Sequence, residues 1–406
     1  KSGAKISIGR HSPKTVLGDI DLLIHSPAVR KDNPELKEAR KLGIKCQSYP
    51  EALGELTKAY YTIAVCGTHG KSTTSAMLGL LLVKAGLDPT VIVGTKLREF
   101  SDSNCRVGKS KFLVIEADEH LASFLNYWPQ IIVLTNLEPD HLDYYKNFKN
   151  YILSFKKFIS HLAKNGVLVT NRDDENIQMM LNPKSKIQNP KEIQNSKFKI
   201  QNYSLKQTEA KKIKKILKVP GEHNVSDALA ALAATRILRI PDKISFKALS
   251  EYRGAWRRFE VSKLKIGNCK LEIVNDYGHH PTEIMATLKA AREKYPNKKI
   301  WCVFQPHQYQ RTYYLFKDFV KAFREVKIDK TVIIDIYDVA GREDKKIKKK
   351  VSTEKLDETI SKKNVIYIPT IGKAFDYLKK SLEGGEVLII MGAGDIYDKF
   401  RSQTLT

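Results

Sequence analysis

Residues 61–74 read Tyr-Thr-Ile-Ala-Val-Cys-Gly-Thr-His-Gly-Lys-Ser-Thr-Thr. An apolar run ends in a glycine loop, a lysine and a series of hydroxyls. This is the pattern of a β-strand that turns around a polyphosphate and opens a helix. Gly67 and Gly70 let backbone N–H groups turn inward, Lys71 supplies a point charge for the β- and γ-phosphates, and Ser72 offers an oxygen to Mg²⁺. The helix expected over 72–86 aims its positive end at the same anion. A common P-loop has its first glycine five residues before the second; that place is Val65, so the loop is a shorter variant. The competing reading is a chance Gly/Lys turn, which the strand before and the helix after argue against.

Working outward, strands are expected at 61–66, 90–94, 111–116 and 130–135, and helices at 72–86, 148–164 and 223–239. Strand–helix alternation of this kind predicts a mostly parallel sheet covered by helices. A second series follows, with strands at 271–275, 299–304, 331–335, 364–368 and 386–391 and helices at 281–294, 313–325 and 371–383, again of the doubly wound α/β class. Before Tyr61 the signals are sparser: a strand at 20–24, a helix at 34–42 and a strand at 45–48. The expected organisation is a partial N-terminal unit (1–58), a central nucleotide-binding unit (59–245) and a C-terminal unit (246–406). Within the central unit, residues 182–219 change character. Ile-Gln-Asn recurs at 187–189, 193–195 and 200–202 among many lysines, which reads as a lysine-rich surface insertion without chemistry.

A chain of 406 residues with 42% hydrophobic and 28% charged residues has the makings of two or three globular domains. No apolar run reaches the length of a membrane span, so no membrane partner is expected. The five cysteines show no CxxC pair or metal spacing, and read as scattered reduced thiols of a cytoplasmic protein. The net charge of +25 allows nucleic-acid binding. The lysines are spread along the chain without interleaved aromatics, so a solvated basic surface is the preferred reading and no nucleic-acid partner is expected.

Several polar clusters sit where strands end. Glu116-Ala117-Asp118-Glu119 suits a Mg²⁺ ion at the carboxyl edge of a parallel sheet, or else marks an acidic helix start. Leu134 to Tyr145 contains Asn136, Glu138, Asp140 and His141; His141 could ligate a second cation through a neutral imidazole, or be structural. Gly221-Glu222-His223-Asn224 opens an alanine-rich helix. Arg257-Arg258 is either surface or phosphate-facing. Asn275 to Glu283 ends a strand and carries the pair His279-His280, for which no third metal ligand at useful spacing is evident. Proton transfer or substrate contact is the better reading there. Phe304 to Thr312 ends another strand, with His307 and with Arg311 placed to grip a carboxylate or phosphate.

Taken in order, Gly-Thr-His-Gly-Lys-Ser-Thr-Thr, Glu-Ala-Asp-Glu, Thr-Asn-Leu-Glu-Pro-Asp-His-Leu-Asp, Gly-Glu-His-Asn, Arg-Arg-Phe-Glu, Asp-Tyr-Gly-His-His-Pro-Thr-Glu and Phe-Gln-Pro-His resemble the motifs of the Mur ligases over essentially the whole chain. The resemblance is strongest to the branch that adds L-alanine to UDP-N-acetylmuramate. It implies a three-domain α/β architecture and ATP-dependent amide formation through an acyl phosphate, in peptidoglycan precursor synthesis. It further implies that Gly67, Thr68, His69, Gly70, Lys71, Ser72 and Thr73 contact ATP, that Ser72, Glu116 and His141 hold Mg²⁺, and that Asn224 and Asp276 lie on the adenosine side. Arg258 would reach the γ-phosphate. Lys71, His141, Arg258 and His279 would form the catalytic set, while Ser26, Tyr277, His279, His307 and Arg311 would meet the substrates. In two places the chain departs from the family. Nothing before Tyr61 matches the family's Gly-rich UDP-binding loop, which leads to the expectation of an N-terminally truncated chain. Gln308 stands where an arginine is usual. The other readings are the branch that ligates the recycled murein tripeptide, a basic nucleic-acid-stimulated NTPase, and a relic that binds nucleotide without turnover.

Overall fold

In a computed structural model of the chain, residues 3–16, 18–182, 198–266, 269–339 and 343–404 are described. They form three α/β units, each built on its own sheet. The first carries two parallel strands, β1 (Leu22–His25) and β2 (Lys45–Ser48), with helices Pro34–Lys41 and Tyr49–Ala59. The second helix begins at a capping box in which Glu51 accepts from the Ser48 backbone and hydroxyl.

The second unit holds β3 (Tyr61–Cys66), β4 (Thr90–Leu97), β5 (Ser103–Arg106), β6 (Phe112–Glu116), β7 (Ile131–Leu134), β8 (Val167–Asn171) and β9 (Lys199–Tyr203). Their order in the sheet is β5-β4-β6-β3-β7-β8-β9. All pairs are parallel except β4 with β5. The glycine-loop strand β3 is therefore central, paired on one side with β6 (Val65 opposite Glu116) and on the other with β7 (Cys66 opposite Leu134). That register delivers the acidic stretch after β6 and the polar loop after β7 to the two flanks of the glycine loop.

Helix Lys71–Lys84 leaves that loop and is buried on nearly every side. It packs on the alanine-rich helix Glu222–Ile237, which is also almost wholly buried. Small side chains let the two backbones approach closely, and an apolar surface all round is what a doubly covered helix needs. On the opposite face of the sheet, Phe124 stacks on Phe158 (4.7 Å between centroids) and meets Phe155 edge-on (5.0 Å).

Elements here that went unread in the sequence include β5, β8, β9 and the helix Thr208–Ile216 behind it. Residues 199–216 are not a surface excursion. β9 is the seventh strand, and Tyr203 is buried, donating its hydroxyl to the Thr135 carbonyl (3.2 Å). Ala210 and Ile213 bury the helix against the core. The first two Ile-Gln-Asn repeats lie outside the described residues.

The third unit holds β10 (Glu260–Ile266), β11 (Cys269–Asp276), β12 (Ile300–Phe304), β13 (Lys330–Ile333), β14 (Val365–Tyr367) and β15 (Val387–Met391), in the order β10-β11-β15-β12-β13-β14. Only β10 is antiparallel. The carboxyl ends of β11, β15 and β12 lie side by side, so the His279-His280 loop and the Gln305–Arg311 loop share one edge as expected from the switch-point rule. Among the described residues no helix is long and apolar enough to cross a membrane.

Candidate active site

The glycine loop is fixed before any ligand arrives. Thr68 N donates to the Asn136 carbonyl (3.0 Å) and His69 N to the Asn136 side chain (2.9 Å). Asn136 Nδ2 and the Thr135 hydroxyl both donate to the His69 carbonyl (3.0 and 2.6 Å). Gly70 has φ +80°, and a Cβ there would collide with the Asp227 carboxylate. Gly67 has φ +133°, where a Cβ would strike the Thr135 hydroxyl. Thr135, Asn136 and Asp227 thus shape the loop, although sequence reasoning gave them no part. The Asn after β7 was visible as a strand-end polar residue; Asp227 lies unmarked inside an alanine-rich helix.

Lys71 Nζ donates to the carbonyls of Gly67 (2.8 Å) and Thr68 (3.0 Å) and pairs with Glu119 (2.9 Å). Burial pulls its pKa down, but Glu119 and Asp118 more than offset this and hold it above the usual lysine value. The ammonium is a fixed charge. Burial raises Glu119 to about 7 against the pull of Lys71. Within the Glu-Ala-Asp-Glu motif, then, the last glutamate neutralises the lysine and the first faces Ser72. The Ser72 hydroxyl lies 2.9 Å from Glu116 Oε1, and Glu116 Oε2 accepts from Gly94 N (2.6 Å). One hydroxyl and one oriented carboxylate on a shared opening match the sparse, oxygen-rich protein ligation of Mg²⁺. His141, with φ +52°, has its ring tilted against that of His120 (4.7 Å between centroids) and stands 3.7–3.8 Å from Asp140 and Glu119. Burial lowers its pKa to about 4, so at neutral pH its imidazole carries a free lone pair.

Three consecutive residues after β7 are each held by the third unit. Glu138 accepts from the Thr282 hydroxyl (2.5 Å), the Pro139 carbonyl lies 3.3 Å from His280 Nε2, and Asp140 pairs with Arg311 through Nε (3.1 Å) and Nη2 (3.3 Å). Both members of that last pair are more than nine-tenths buried. Burial alone would raise Asp140, but Arg311 holds it well below the carboxylate range. The carboxylate that Arg311 grips is therefore one of the protein's own. Its Nη1 faces His307 Nδ1 at 3.3 Å, and the His307 ring stacks on Tyr337 (5.4 Å). His69 also spans the seam, with Nδ1 3.2 Å from Glu283 and Nε2 3.4 Å from Glu138. Burial disfavours its charge, yet hydrogen bonds to Glu138 and Glu283 lift its pKa to about 10. His280, for which no third ligand was expected, stands beside His69 (rings 4.5 Å apart) and Glu138.

The remaining residues line three clefts. One of about 1010 Å³ is walled by Lys71, Ser72, Glu116, His141, Tyr277, His279, His307 and Arg311. Burial takes His279 down to about 3, keeping it neutral. A second, of about 1040 Å³, is walled by Thr73, Asn224, Asp227 and Asp276. His69, Gly70, Arg258 and Glu283 border both. Arg258 is deeply placed, its guanidinium 5.1 Å from the Tyr277 ring centroid. Asp276 accepts from Phe259 N (2.9 Å) and Gly278 N (2.8 Å). A third cleft of about 850 Å³ brings Ser26 of the first unit to Glu116, Asp118 and His120. Most of the residues singled out in the sequence come to one of these three clefts or to the glycine loop between them; Arg257 instead donates to the Gly392 carbonyl, and His280 faces the Pro139 carbonyl.

Family models match the chain in three consecutive stretches: the Mur ligase family catalytic domain over residues 1–61, the Mur ligase middle domain over 65–235, and the Mur ligase glutamate ligase domain over 257–394. A UDP-N-acetylmuramate–L-alanine ligase of Acetivibrio thermocellus is 38% identical over 98% of this chain and 85% of its own length. That of Clostridium acetobutylicum is 38% identical over 97% and 86%. Among solved structures, the UDP-N-acetylmuramate–alanine ligase MurC of Thermotoga maritima superposes with a TM-score of 0.71 at 26% identity, covering 98% of this chain and 88% of that one. A murein peptide ligase of Psychrobacter arcticus shares the fold, with a TM-score of 0.65 at 20% identity over 94% and 85%.

Two outcomes follow from the loop. Gly70→Ala forces a side chain into the left-handed region, at a cost of about 1–3 kcal/mol, and against Asp227. Binding of a non-hydrolysable ATP analogue is expected to weaken at least ~10-fold while circular dichroism is unchanged; calorimetry checks it. Asp227 titrates near 7 in the fold, raised by burial from 3.8 and only partly opposed by Thr74. The folded chain holds this proton more tightly than the unfolded chain, so stability falls as pH rises from 3.8 through 7. Asp227→Asn removes that loss. Its thermal midpoint should exceed the wild type's by a margin that widens from pH 4 to pH 7 and is then flat.

Proposed function

The chain belongs to the Mur ligase family, and we propose that it joins L-alanine to the lactyl carboxylate of UDP-N-acetylmuramate at the expense of ATP, a step in peptidoglycan precursor synthesis. The observation that carries this reading is the meeting of three clefts. Glu116 borders both the cleft that reaches Ser26 and the one that reaches Arg311, and Gly70 and Arg258 border the latter and the one that reaches Asn224. An amide ligase that activates an acid must bring acid, nucleotide and amine to one point.

In this assignment the sugar nucleotide enters along Ser26 and presents its carboxylate past His120 to Glu116. ATP lies with its adenosine along Asn224 and Asp276 and its phosphates over the loop Gly67–Thr73. Lys71 faces the β- and γ-phosphates. Arg258 approaches the γ-phosphate from the third unit. Phosphoryl transfer requires charge neutralisation and alignment more than covalent help, and these two cations supply it, Lys71 being held in place beforehand. Mg²⁺ held by Ser72 and Glu116, with His141 at a second position, would neutralise the phosphate oxygens. The lactyl carboxylate attacks the γ-phosphorus, giving an acyl phosphate and ADP. The amine of L-alanine then attacks the acyl carbon and phosphate leaves. His279, kept neutral by burial, lines the cleft that the amine enters, as a hydrogen-bonding neighbour and not as the base. Arg311 Nη1 and His307 receive the amino-acid carboxylate. With Gln308 in place of a second arginine, that recognition rests on Arg311. The seam between the second and third units excludes water from the acyl phosphate. The thiols are all unpaired, in keeping with a cytoplasmic reaction.

Phosphate release from ATP should require both UDP-N-acetylmuramate and L-alanine. Omitting either, or replacing Lys71 by Met, is expected to reduce it by at least ~10³-fold. Release driven by L-Ala-D-Glu-diaminopimelate and not by L-alanine would assign the chain to the recycling reaction instead, and release needing neither sugar nor amino acid would refute the ligase reading.

A further inference from the structure

His69, Glu138 and His280 lie outside the Mg²⁺ position formed by Ser72 and Glu116, and their ligand-type atoms all fall within 4.8 Å of one another. His69 Nε2 is 3.4 Å from Glu138 Oε2, and His280 Nδ1 is 3.9 Å from the same oxygen. His69 Nε2 is buried, and its contact with Glu138 falls short of a well-formed hydrogen bond. The far ring nitrogens are committed elsewhere: His69 Nδ1 is held by Glu283 (3.2 Å) and His280 Nε2 faces the Pro139 carbonyl (3.3 Å). The Thr282 hydroxyl donates to Glu138 Oε2 itself (2.5 Å), a bond that still leaves that oxygen a second lone pair. A carbonyl can only accept, so His280 carries its proton on Nε2; its Nδ1 lone pair accepts from Thr282 N (3.3 Å) as the helix N-cap, a bond that an incoming ion would displace. Carboxylate or carbonyl partners on the far nitrogens are the arrangement that orients imidazoles toward a metal.

We propose that His69, Glu138 and His280 form a binding site for a borderline divalent transition-metal ion of the zinc type, distinct from the Mg²⁺ of the reaction. Two imidazole nitrogens and one carboxylate oxygen are the donor set that favours such an ion over Mg²⁺. Tetrahedral ligation at about 2.0–2.1 Å sets donors roughly 3.3 Å apart. The shortest separation already meets that spacing, and the others close by about 1.5 Å at most. The ion would displace the proton on His69 and leave a fourth position open on the nucleotide cleft, which His69 and Glu138 line. Two of its ligands come from the second unit and one from the third, so a bound ion ties the two together beside the glycine loop. The consequence is inhibition: an enzyme whose third unit must release product is held shut.

The test uses the full chain, stripped with a chelator and kept in excess Mg²⁺, titrated with Co²⁺ as a spectroscopic probe and with Zn²⁺ in the phosphate-release assay. One equivalent of Co²⁺ should give the intense visible absorption of a tetrahedral ion. His280→Asn, which keeps an acceptor at the helix N-cap, and Glu138→Gln should each weaken it at least ~10-fold. His141→Asn should retain it. Zn²⁺ should inhibit the wild type, and His280→Asn should resist relative to its own zinc-free rate. Absence of the tetrahedral signal in the wild type, its persistence in His280→Asn or Glu138→Gln, or its loss in His141→Asn would overturn the proposal. If either variant fails to fold by circular dichroism, the other decides.

Discussion

The buried ion pair between Asp140 and Arg311 is the contact on which the assembly of the site depends. Two charges removed from water are costly unless their geometry is good and their remaining hydrogen bonds are met. Here the guanidinium meets the carboxylate through two N–H groups. Asp140 is the last of three consecutive residues gripped by the third unit, and the next residue is His141. Glu138, the first, is tied back to the glycine loop, its N–H donating to the Thr68 hydroxyl (2.8 Å). A shift of the third unit therefore moves both a candidate metal ligand and the phosphate loop. The seam makes the catalytic geometry a property of the closed molecule, as expected where an acyl phosphate must be kept from water.

Charge is organised on two scales. The chain's excess of +25 is carried largely by exposed lysines, which attract anions from a distance. At the centre the cations are individually matched: Lys71 by Glu119, Arg311 by Asp140, His69 by Glu138 and Glu283. Matched charges are held in position before substrate arrives, so little reorganisation remains for the chemical step. Arg258 differs. Burial disfavours its charge and Glu283 and Asp276 sustain it from a distance, which leaves its guanidinium for a phosphate.

Local signals made the strand ends legible. Gly67 to Ser72, Glu116, His141, His279 and His307 could be picked out because a polar cluster directly after an apolar strand has few other reasons to exist, and parallel topology gathers such ends at one edge. What was not legible depends on pairing across the chain. Asp140 and Arg311 are 171 residues apart, and His69 and Glu283 are 214 apart; no spacing rule connects them. Glu119 and Glu116 sit in one short motif, and only the register of β6 against β3 decides which of them faces the lysine. Strand β9 was hidden by composition. Its lysines and amides read as a solvated excursion, because an edge strand needs to bury only Tyr203 to hold its place.

A double-mutant cycle on Asp140 and Arg311 tests most directly whether the seam assembles the site. Asp140→Ala, Arg311→Ala and the double variant are compared by kcat/KM for the complete reaction. If the pair acts as one unit, each single substitution removes most of the activity and the double variant is little worse than either, a coupling of about 1–3 kcal/mol. If the two losses simply multiply, the residues act independently and the closed seam is not what builds the active site.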